Sequence, residues 1–213
     1  LREGIAQPEE ACFLQFTSGS TSAPRGVIVT HRNLLANARA MIDALEIRSD
    51  ADRAVSWLPL YHDMGLIGFV IATLVAQLPV VFIPTISFVK HPGVWMETVN
   101  KYRATVTFGP NFAFELAAKR AGKLSRANTD LSCLRVLGCG SEPINPRTME
   151  GFLAAFAPMG LKPDAILPCY GMAEATLAIA FGHVHRRMRK LVIDRPMYES
   201  RNIARPLAPG EEP

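Results

Sequence analysis

Apolar residues along this chain fall into two alternating patterns, one with helical spacing and one in short unbroken runs. Residues 33–47 put Leu34, Ala38, Met41, Ile42 and Leu45 on one helical face, and the run "AVSWLP" that follows reads as a short buried strand. The rhythm then repeats: helix 65–77 and strand 80–83, helix 94–102 and strand 105–108, helix 112–121 and strand 134–137. In a last unit Asn145 is placed to cap a helix with Pro146 at its first position. Met149, Phe152, Leu153 and Phe156 recur at helical spacing before the strand "AILPCY". Strands separated by helices of about three turns predict βαβ units, and continuous apolar strands predict a largely parallel sheet covered on both faces. The expected class is α/β, a layered sheet flanked by helices, over residues 1–182. Beyond it, residues 183–213 are rich in charge and proline with one strand-like piece at 191–193, which predicts an insertion or connecting segment.

A length of 213 residues suffices for a real core, and with 49% apolar and 20% charged residues the composition is that of a globular chain. The net charge is only +4, and the densest basic cluster, "HRRMRK" at 185–190, has no interleaved aromatics and no nucleic-acid-binding signature, so no nucleic-acid partner is expected. His183 and His185 read as part of a solvated basic segment, not as metal ligands. Cys12, Cys133, Cys139 and Cys169 lack CxxC spacing, which predicts free thiols and a reducing, cytoplasmic setting. The apolar stretch 64–84 is long enough to span a bilayer as one helix, but Pro79 interrupts it, and a buried helix followed by a buried strand is the expected arrangement, with no transmembrane segment. The N-terminal "LREGIAQPEE" carries acidic residues where a signal peptide has its apolar region.

Ligands of parallel α/β sheets bind beyond the carboxyl ends of the strands. Here those ends read "FTSGST", "WLPLYHD", "FGPNF", "GCGSEP" and "CYGMAE". The first does not match GxxxxGK[ST], since Gly19 and Gly26 are too far apart and no lysine follows. Thr17, Ser18, Ser20 and Thr21 around Gly19 suit an anion cradle to which Arg25 adds charge; they equally suit a hydroxyl-rich hairpin turn with Pro24 and Gly26 as turn residues. Glu174 is expected where the helix after "CYG" begins, either as a Mg²⁺ ligand or as a first-turn charge complementing the helix dipole. Tyr170 offers a flat face for a base or an ordinary core ring.

The Thr/Ser/Gly loop closed by "GVIVTH", then "YHDMG", "GSEP" and "YGMAEAT", in that order, resembles the adenylate-forming superfamily of acyl-CoA synthetases, luciferases and peptide-synthetase adenylation domains. The details "LPLYHDMGLIG", "GPNFAFELA" and "YGMAEATLA" are similar to the fatty acyl-AMP ligases, and the likeness runs from Phe13 to Phe181. Residues 1–182 would then be the central part of the large adenylation domain. The resemblance implies ATP-dependent conversion of a fatty acid to acyl-adenylate with release of pyrophosphate. The acyl group would pass to an acyl carrier protein or polyketide synthase. It implies that Thr17, Ser18, Gly19, Ser20 and Thr21, with Arg25 in place of a frequent lysine, hold the β- and γ-phosphates. It further implies that Glu174 holds Mg²⁺, that Gly140, Ser141, Glu142 and Pro143 face adenine, and that Tyr170, followed by Gly171, stacks on it. Thr176 would lie near the α-phosphate and His62 beside the acyl carboxylate, where an imidazole can donate to developing charge, although a histidine satisfied in the core is the plain alternative. Met64, Leu66, Phe69, Phe108, Pro110, Asn111 and Phe112 match the family's acyl-binding wall, and each also suits the core.

The family carries its ribose-binding aspartate and its C-terminal domain with a catalytic lysine beyond the last residue here. A fragment with little or no activity of its own is therefore expected. A long-chain acyl-CoA synthetase is the nearest alternative; the resemblance attributes exclusion of CoA to an inserted segment expected near 182–213. A serine hydrolase using Ser141 or Ser20 with His62 lacks the G-x-S-x-G elbow. A non-catalytic docking module for a carrier protein is the third.

Overall fold

The computed structural model describes residues 6–17 and 25–208. Its centre is a six-stranded sheet of order β4-β3-β5-β6-β7-β8, built from β3 (Ala54–Ser56), β4 (Val80–Phe82), β5 (Val106–Gly109), β6 (Val136–Cys139), β7 (Ile166–Gly171) and β8 (Ala178–Phe181). β4, β3, β5, β6 and β7 pair in parallel, while β8 returns antiparallel to β7. β3, β5 and β6 are buried along their length, as expected of strands covered on both faces. The α/β class and the mostly parallel sheet are as the alternation predicts. The antiparallel edge is a difference, and so is the first strand pair. β1 (Ala11–Phe16) and β2 (Gly26–Thr30) form a separate antiparallel pair, so Phe16 and Thr17 follow a strand of that pair and not a strand of the main sheet.

β2 runs directly into α1 (His31–Ala44). Thr30 caps that helix in a box with Asn33: the Asn33 amide donates to Thr30 Oγ1 at 3.1 Å, and the Thr30 amide to Asn33 Oδ1 at 3.2 Å. Leu34, Ala38 and Met41 are buried on the expected face, where they join Val29, Ile67 and Ala72 in a small second core beneath the hairpin. The expected helix over 65–77 is three segments: α2 (Asp63–Leu66), a π-helical turn (Ile67–Ile71) and α3 (Ala72–Ala76), with the chain leaving at Gln77 in the left-handed region. At the wide turn the Thr73 hydroxyl donates to the carbonyls of Phe69 and Val70, at 2.6 and 3.1 Å. π turns concentrate at functional sites.

The main core is larger and takes in the sheet and most of its helices. Helices α4 (Thr85–Lys90), α5 (Val94–Tyr102), α6 (Asn111–Ala118) and α7 (Pro146–Phe156) bury Phe88, Trp95, Phe114, Phe152 and Phe156, each worth about 1.5–3 kcal/mol. Trp95 Nε1 donates to Thr107 Oγ1 at 2.8 Å, and that hydroxyl donates to the Val55 carbonyl at 2.7 Å, whereas the buried Trp57 Nε1 has no partner among the described residues. α7 starts as predicted, with Asn145 Oδ1 accepting the Arg147 amide and Pro146 at the first position. α4 is absent from the sequence-level pattern because "TISFVK" is β-branched and short; burial of Phe88 against Trp57, ring centroids 3.8 Å apart, overrides that propensity. The segment 183–208 holds α8 (Arg195–Arg201) and, where a strand-like piece was expected, one isolated bridge between Ile193 and Pro206. Val184 and Met188 pack on the main core and Lys190 pairs with Glu150 at 2.5 Å.

Candidate active site

The loops after β3, β5, β6 and β7 issue from neighbouring strands on one edge of the sheet. The chain steps outward from β3 to β4 and then crosses back to β5, so the crevice between β3 and β5 is a topological switch point. His62 stands there as the N-cap of α2, with its side chain 48% exposed. Asp63 Oδ1 lies 2.8 Å from His62 Nδ1 and also accepts the Met64 amide at 2.7 Å. Nδ1 is 3.2 Å from that same amide. Because Asp63 already satisfies the Met64 N–H over the shorter distance, Nδ1 is assigned the proton and donates to Asp63. This bond raises the His62 pKa; partial burial acts the other way and Coulombic attraction to Asp63 adds to the rise.

The loop after β6 is held from two sides. Glu142 Oε1 accepts the Phe112 amide at 2.7 Å, supplying a partner to the start of α6, whose own N-cap Pro110 has none to offer. Asn111 Oδ1 in turn accepts the Asn145 amide at 2.9 Å. Between these bonds Ser141 adopts φ +68°, and its Oγ lies 3.6 Å from Met64 Sδ. Gly140 runs so close to β7 that a Cβ would sit 2.6 Å from Cys169 Sγ and 2.9 Å from its carbonyl oxygen. That thiol donates to the Cys139 carbonyl at 3.1 Å. Burial pushes both Cys139 and Cys169 up to about 12.

Near the end of β7, Tyr170 is 62% exposed and therefore not a core ring. Glu174 does not begin a helix. It lies in a single 3₁₀ turn, Ala173–Ala175, that joins β7 to β8. Its exposed carboxylate has no hydrogen-bonding or ionic partner among the described residues, and the helix-dipole role is therefore ruled out. Thr176 follows at φ +72°, ψ −58°, with the Leu177 amide donating to the Ala175 carbonyl at 2.9 Å across it. This is a γ-turn in the positive-φ form, strained for a β-branched residue. Glu174 and Thr176 line a groove of about 390 Å³ whose opposite wall is β2 and the outer face of α1, at Val27, Ile28, Asn33 and Asn37.

A second cavity, about 200 Å³, opens between His62, Ser141, Tyr170 and Gly171 at its mouth and runs inward between α1 and the π turn. Its interior is formed by apolar side chains, including Met41 and Leu45 from α1, Phe69 and Ala72 from the wide-turn region, and Phe108 and Phe181 from the sheet. Gly68 opens onto it, since a Cβ there would meet only Leu177, at 3.6 Å. No group of three or more His, Cys, Asp or Glu suited to a metal occurs among the described residues.

A family model described as AMP-binding enzyme matches residues 2–208. The chain belongs to the AMP-binding enzyme family. Among relatives of this AMP-binding enzyme, the medium-chain-fatty-acid–[acyl-carrier-protein] ligase TtuA of Teredinibacter turnerae is 41% identical over 192 residues, covering 90% of this chain and 30% of TtuA. A solved chain from structural and functional studies of fatty acyl-adenylate ligases from E. coli and L. pneumophila superposes with a TM-score of 0.88 at 39% identity, covering 98% of this chain and 37% of that one. A fatty acyl-adenylate ligase from L. pneumophila in complex with acyl adenylate and pyrophosphate gives a TM-score of 0.82 at 34% identity, over 90% of this chain and 34% of that one. The chain thus spans about a third of the length of these relatives.

Within this AMP-binding enzyme, the sequence-predicted residues separate into groups. His62, Ser141, Tyr170 and Gly171 meet at the cavity mouth, with Met64, Phe69 and Phe108 on its wall. Leu66, Pro110, Asn111 and Phe112 do not line it. Leu66 ends α2, and Pro110 caps α6, where Asn111 and the Phe112 amide brace the loop after β6 and Phe112 packs edge-on to Trp57. Thr17 and Arg25 close the hairpin, the Thr17 amide donating to the Arg25 carbonyl at 3.0 Å and its hydroxyl lying 3.4 Å from that oxygen. Ser18, Gly19, Ser20 and Thr21 lie outside the described residues. Sequence reasoning misses the α1 wall, because Met41, Ile42 and Leu45 carry the same periodicity whether they face a core or a cavity. It also misses Asn37, whose side chain reaches β8 across 141 residues of sequence.

Proposed function

We propose that this chain is the nucleotide- and fatty-acid-binding part of an enzyme that activates a fatty acid with ATP. One carboxylate oxygen attacks the α-phosphorus, the bond from that phosphorus to the bridging β-phosphate oxygen breaks, and pyrophosphate leaves with the electron pair. The thiol of an acyl carrier protein or polyketide synthase then attacks the acyl carbon of the acyl-adenylate, the bond from that carbon to the phosphate oxygen breaks, and AMP leaves as the thiol gives up its proton. The single observation that carries this reading is the apolar cavity with a polar mouth at the switch point of the sheet, where a buried tail gains about 0.8 kcal/mol per CH₂ while its carboxylate stays at the surface. The acyl-adenylate and the carrier-protein ligase named among the relatives support it.

In this reading Asp63 fixes the His62 ring, and Nε2 donates to the carboxylate and α-phosphate oxygens as charge develops. Tyr170 stacks on the adenine, against which the braced Gly140–Pro143 loop lies. Thr17 to Thr21 and Arg25 bind the β- and γ-phosphates, and Thr176 neighbours the α-phosphate. Glu174 fits Mg²⁺, since that ion takes one or two carboxylates with phosphate oxygens and this carboxylate is exposed and uncommitted among the described residues. When bound, the ion offsets negative charge on the phosphates. Residues 1–182 carry these groups, with 183–213 as the connecting or inserted segment; free thiols suit a cytoplasmic setting.

The deciding experiment follows pyrophosphate release by the full-length parent with saturated fatty acids of increasing length, with and without carrier protein or CoA. Release that depends on fatty acid and falls at least about hundredfold in Glu174→Ala is expected. Fatty-acid-independent release, or acyl-CoA as the favoured product, overturns the reading.

A further inference from the structure

The groove bearing Glu174 and Thr176 is formed by two elements far apart in sequence, the β7–β8 turn and the β2–α1 unit. Among the described residues their direct polar link is one side chain. Asn37 Nδ2 donates to the Ala178 carbonyl at 2.8 Å, and Asn37 Oδ1 accepts the Ala178 amide at 3.0 Å. A carboxamide using both donor and acceptor on a single residue mimics a neighbouring strand and closes the outer edge of β8 at that point. The clamp is two residues beyond Thr176, whose positive φ persists only where its surroundings over-determine it. On the inner side the same turn is fixed by the Met172 amide on the Leu177 carbonyl, at 2.9 Å. The turn is thus held between β7 and α1, and Asn37 is the member that sets its register against β2.

We infer that Asn37 is a positioning residue for the metal–nucleotide subsite: its paired bonds to Ala178 hold the Glu174–Thr176 turn at a fixed distance from β2 and α1. This rests on the assignment of Glu174 made above. Asn37 acts through the backbone of β8, since the polar atoms of its side chain are both engaged by Ala178. The fatty-acid cavity shares Leu177 and Ala178 with this unit, but its mouth at Ser141 is also held by the Glu142 and Asn111 bonds, which do not pass through Asn37.

The test measures binding of Mg·ATP and of dodecanoate to the full-length parent and its Asn37→Ala and Asn37→Asp variants by calorimetry, together with hydrogen exchange at the Ala178 amide. Asn37→Ala is expected to weaken Mg·ATP about tenfold or more and dodecanoate several-fold less than that, with faster exchange at Ala178. Asn37→Asp keeps the acceptor for the Ala178 N–H but sets a carboxylate against its carbonyl, and is expected to retain the exchange protection in part. An equal loss for both ligands in Asn37→Ala would reduce Asn37 to a general stabiliser, and unchanged Mg·ATP affinity would remove its role altogether; either overturns the inference. A wild type that binds Mg·ATP yet adenylates no fatty acid defeats the functional reading alone, since the Asn37 comparison still decides this one. A wild type that does not bind Mg·ATP defeats both.

Discussion

Gly171 passes directly beneath the carbonyl of Leu177: a Cβ built on Gly171 would stand 2.1 Å from that oxygen. The approach lets β7 and β8 turn through the short connection that carries Glu174 and Thr176, and backbone cannot yield there as a flexible side chain would. Gly171→Ala is therefore expected to destabilise the chain by about 1–3 kcal/mol and to move Glu174. Urea unfolding checks the first effect and Mg·ATP affinity the second; wild-type values for both would show the turn to be tolerant.

His62 and Asp63 set a pH dependence. With Nδ1–H given to Asp63, Nε2 carries a proton only when the ring is charged, so donation toward a substrate oxygen requires the imidazolium. The bond to Asp63 raises the His62 pKa above 6.5, hence the charged form persists to higher pH and is lost as pH rises through the folded value. Activity is expected to fall along an alkaline limb that shifts to lower pH in Asp63→Asn. An NMR titration of the His62 ring should move in the same direction, and an unmoved limb would exclude the dyad.

Asp52 is fully buried at its side chain, where Arg135 binds it through Nε at 2.8 Å and a terminal nitrogen at 2.5 Å while also donating to the carbonyls of Leu45 and Glu46. Burial alone would raise the Asp52 pKa, but the hydrogen bonds from Arg135, the Arg48 amide and Thr105 hold it below 3.8. Its stabilisation is thus complete above the ordinary carboxylate range and lost as pH falls through the lowered value. Asp52→Ala should cost about 3–5 kcal/mol by leaving the Arg135 charge unpaired, measured by denaturant unfolding at pH 7.

Gly68 leaves open space in the cavity that a side chain would fill. Gly68→Leu should project a side chain toward Leu177 and displace about two methylenes of a long tail, roughly 1.6 kcal/mol or about fifteenfold in KM, while short fatty acids are unaffected. Equal loss for short and long substrates would mean that the tail lies elsewhere.

Thiol reactivity should divide by burial. Cys12 is exposed, whereas Cys139 and Cys169 are raised to about 12 and remain protonated at pH 8. Alkylation followed by mass spectrometry is expected to label Cys12 first and to leave Cys139 and Cys169 untouched in the folded chain.

Much of the fold is legible in the sequence because the signals are local: the Asn145–Pro146 start of α7 and the buried faces of α1 and α5 are set by capping and period alone. The β7–β8 hairpin is not. "GMAEATLA" has helix-forming residues, and what defeats the helix is the contact of Gly171 with Leu177 and the strained Thr176, both tertiary. The wide turn at Ile67–Ile71 is hidden for the same reason, since a uniform apolar run carries no mark of a change in helical period. At the site, His62, Ser141 and Tyr170 are legible as polar groups at strand ends. Asn111 and Glu142 read as ligand contacts, yet their partners are each other's loops.

Adjacent strands of a sheet lie about 4.8 Å apart, and the loops after β3, β5, β6 and β7 hang from four such neighbours. The ladder therefore works as a ruler laid across the polypeptide: lengthening the stretch between α6 and β6 shifts the numbering of "GSEP" relative to "FGPNF" without altering the gap between them in space. Insertions there should be harmless to the chemistry, whereas slipping a single strand by one residue would disassemble the crevice.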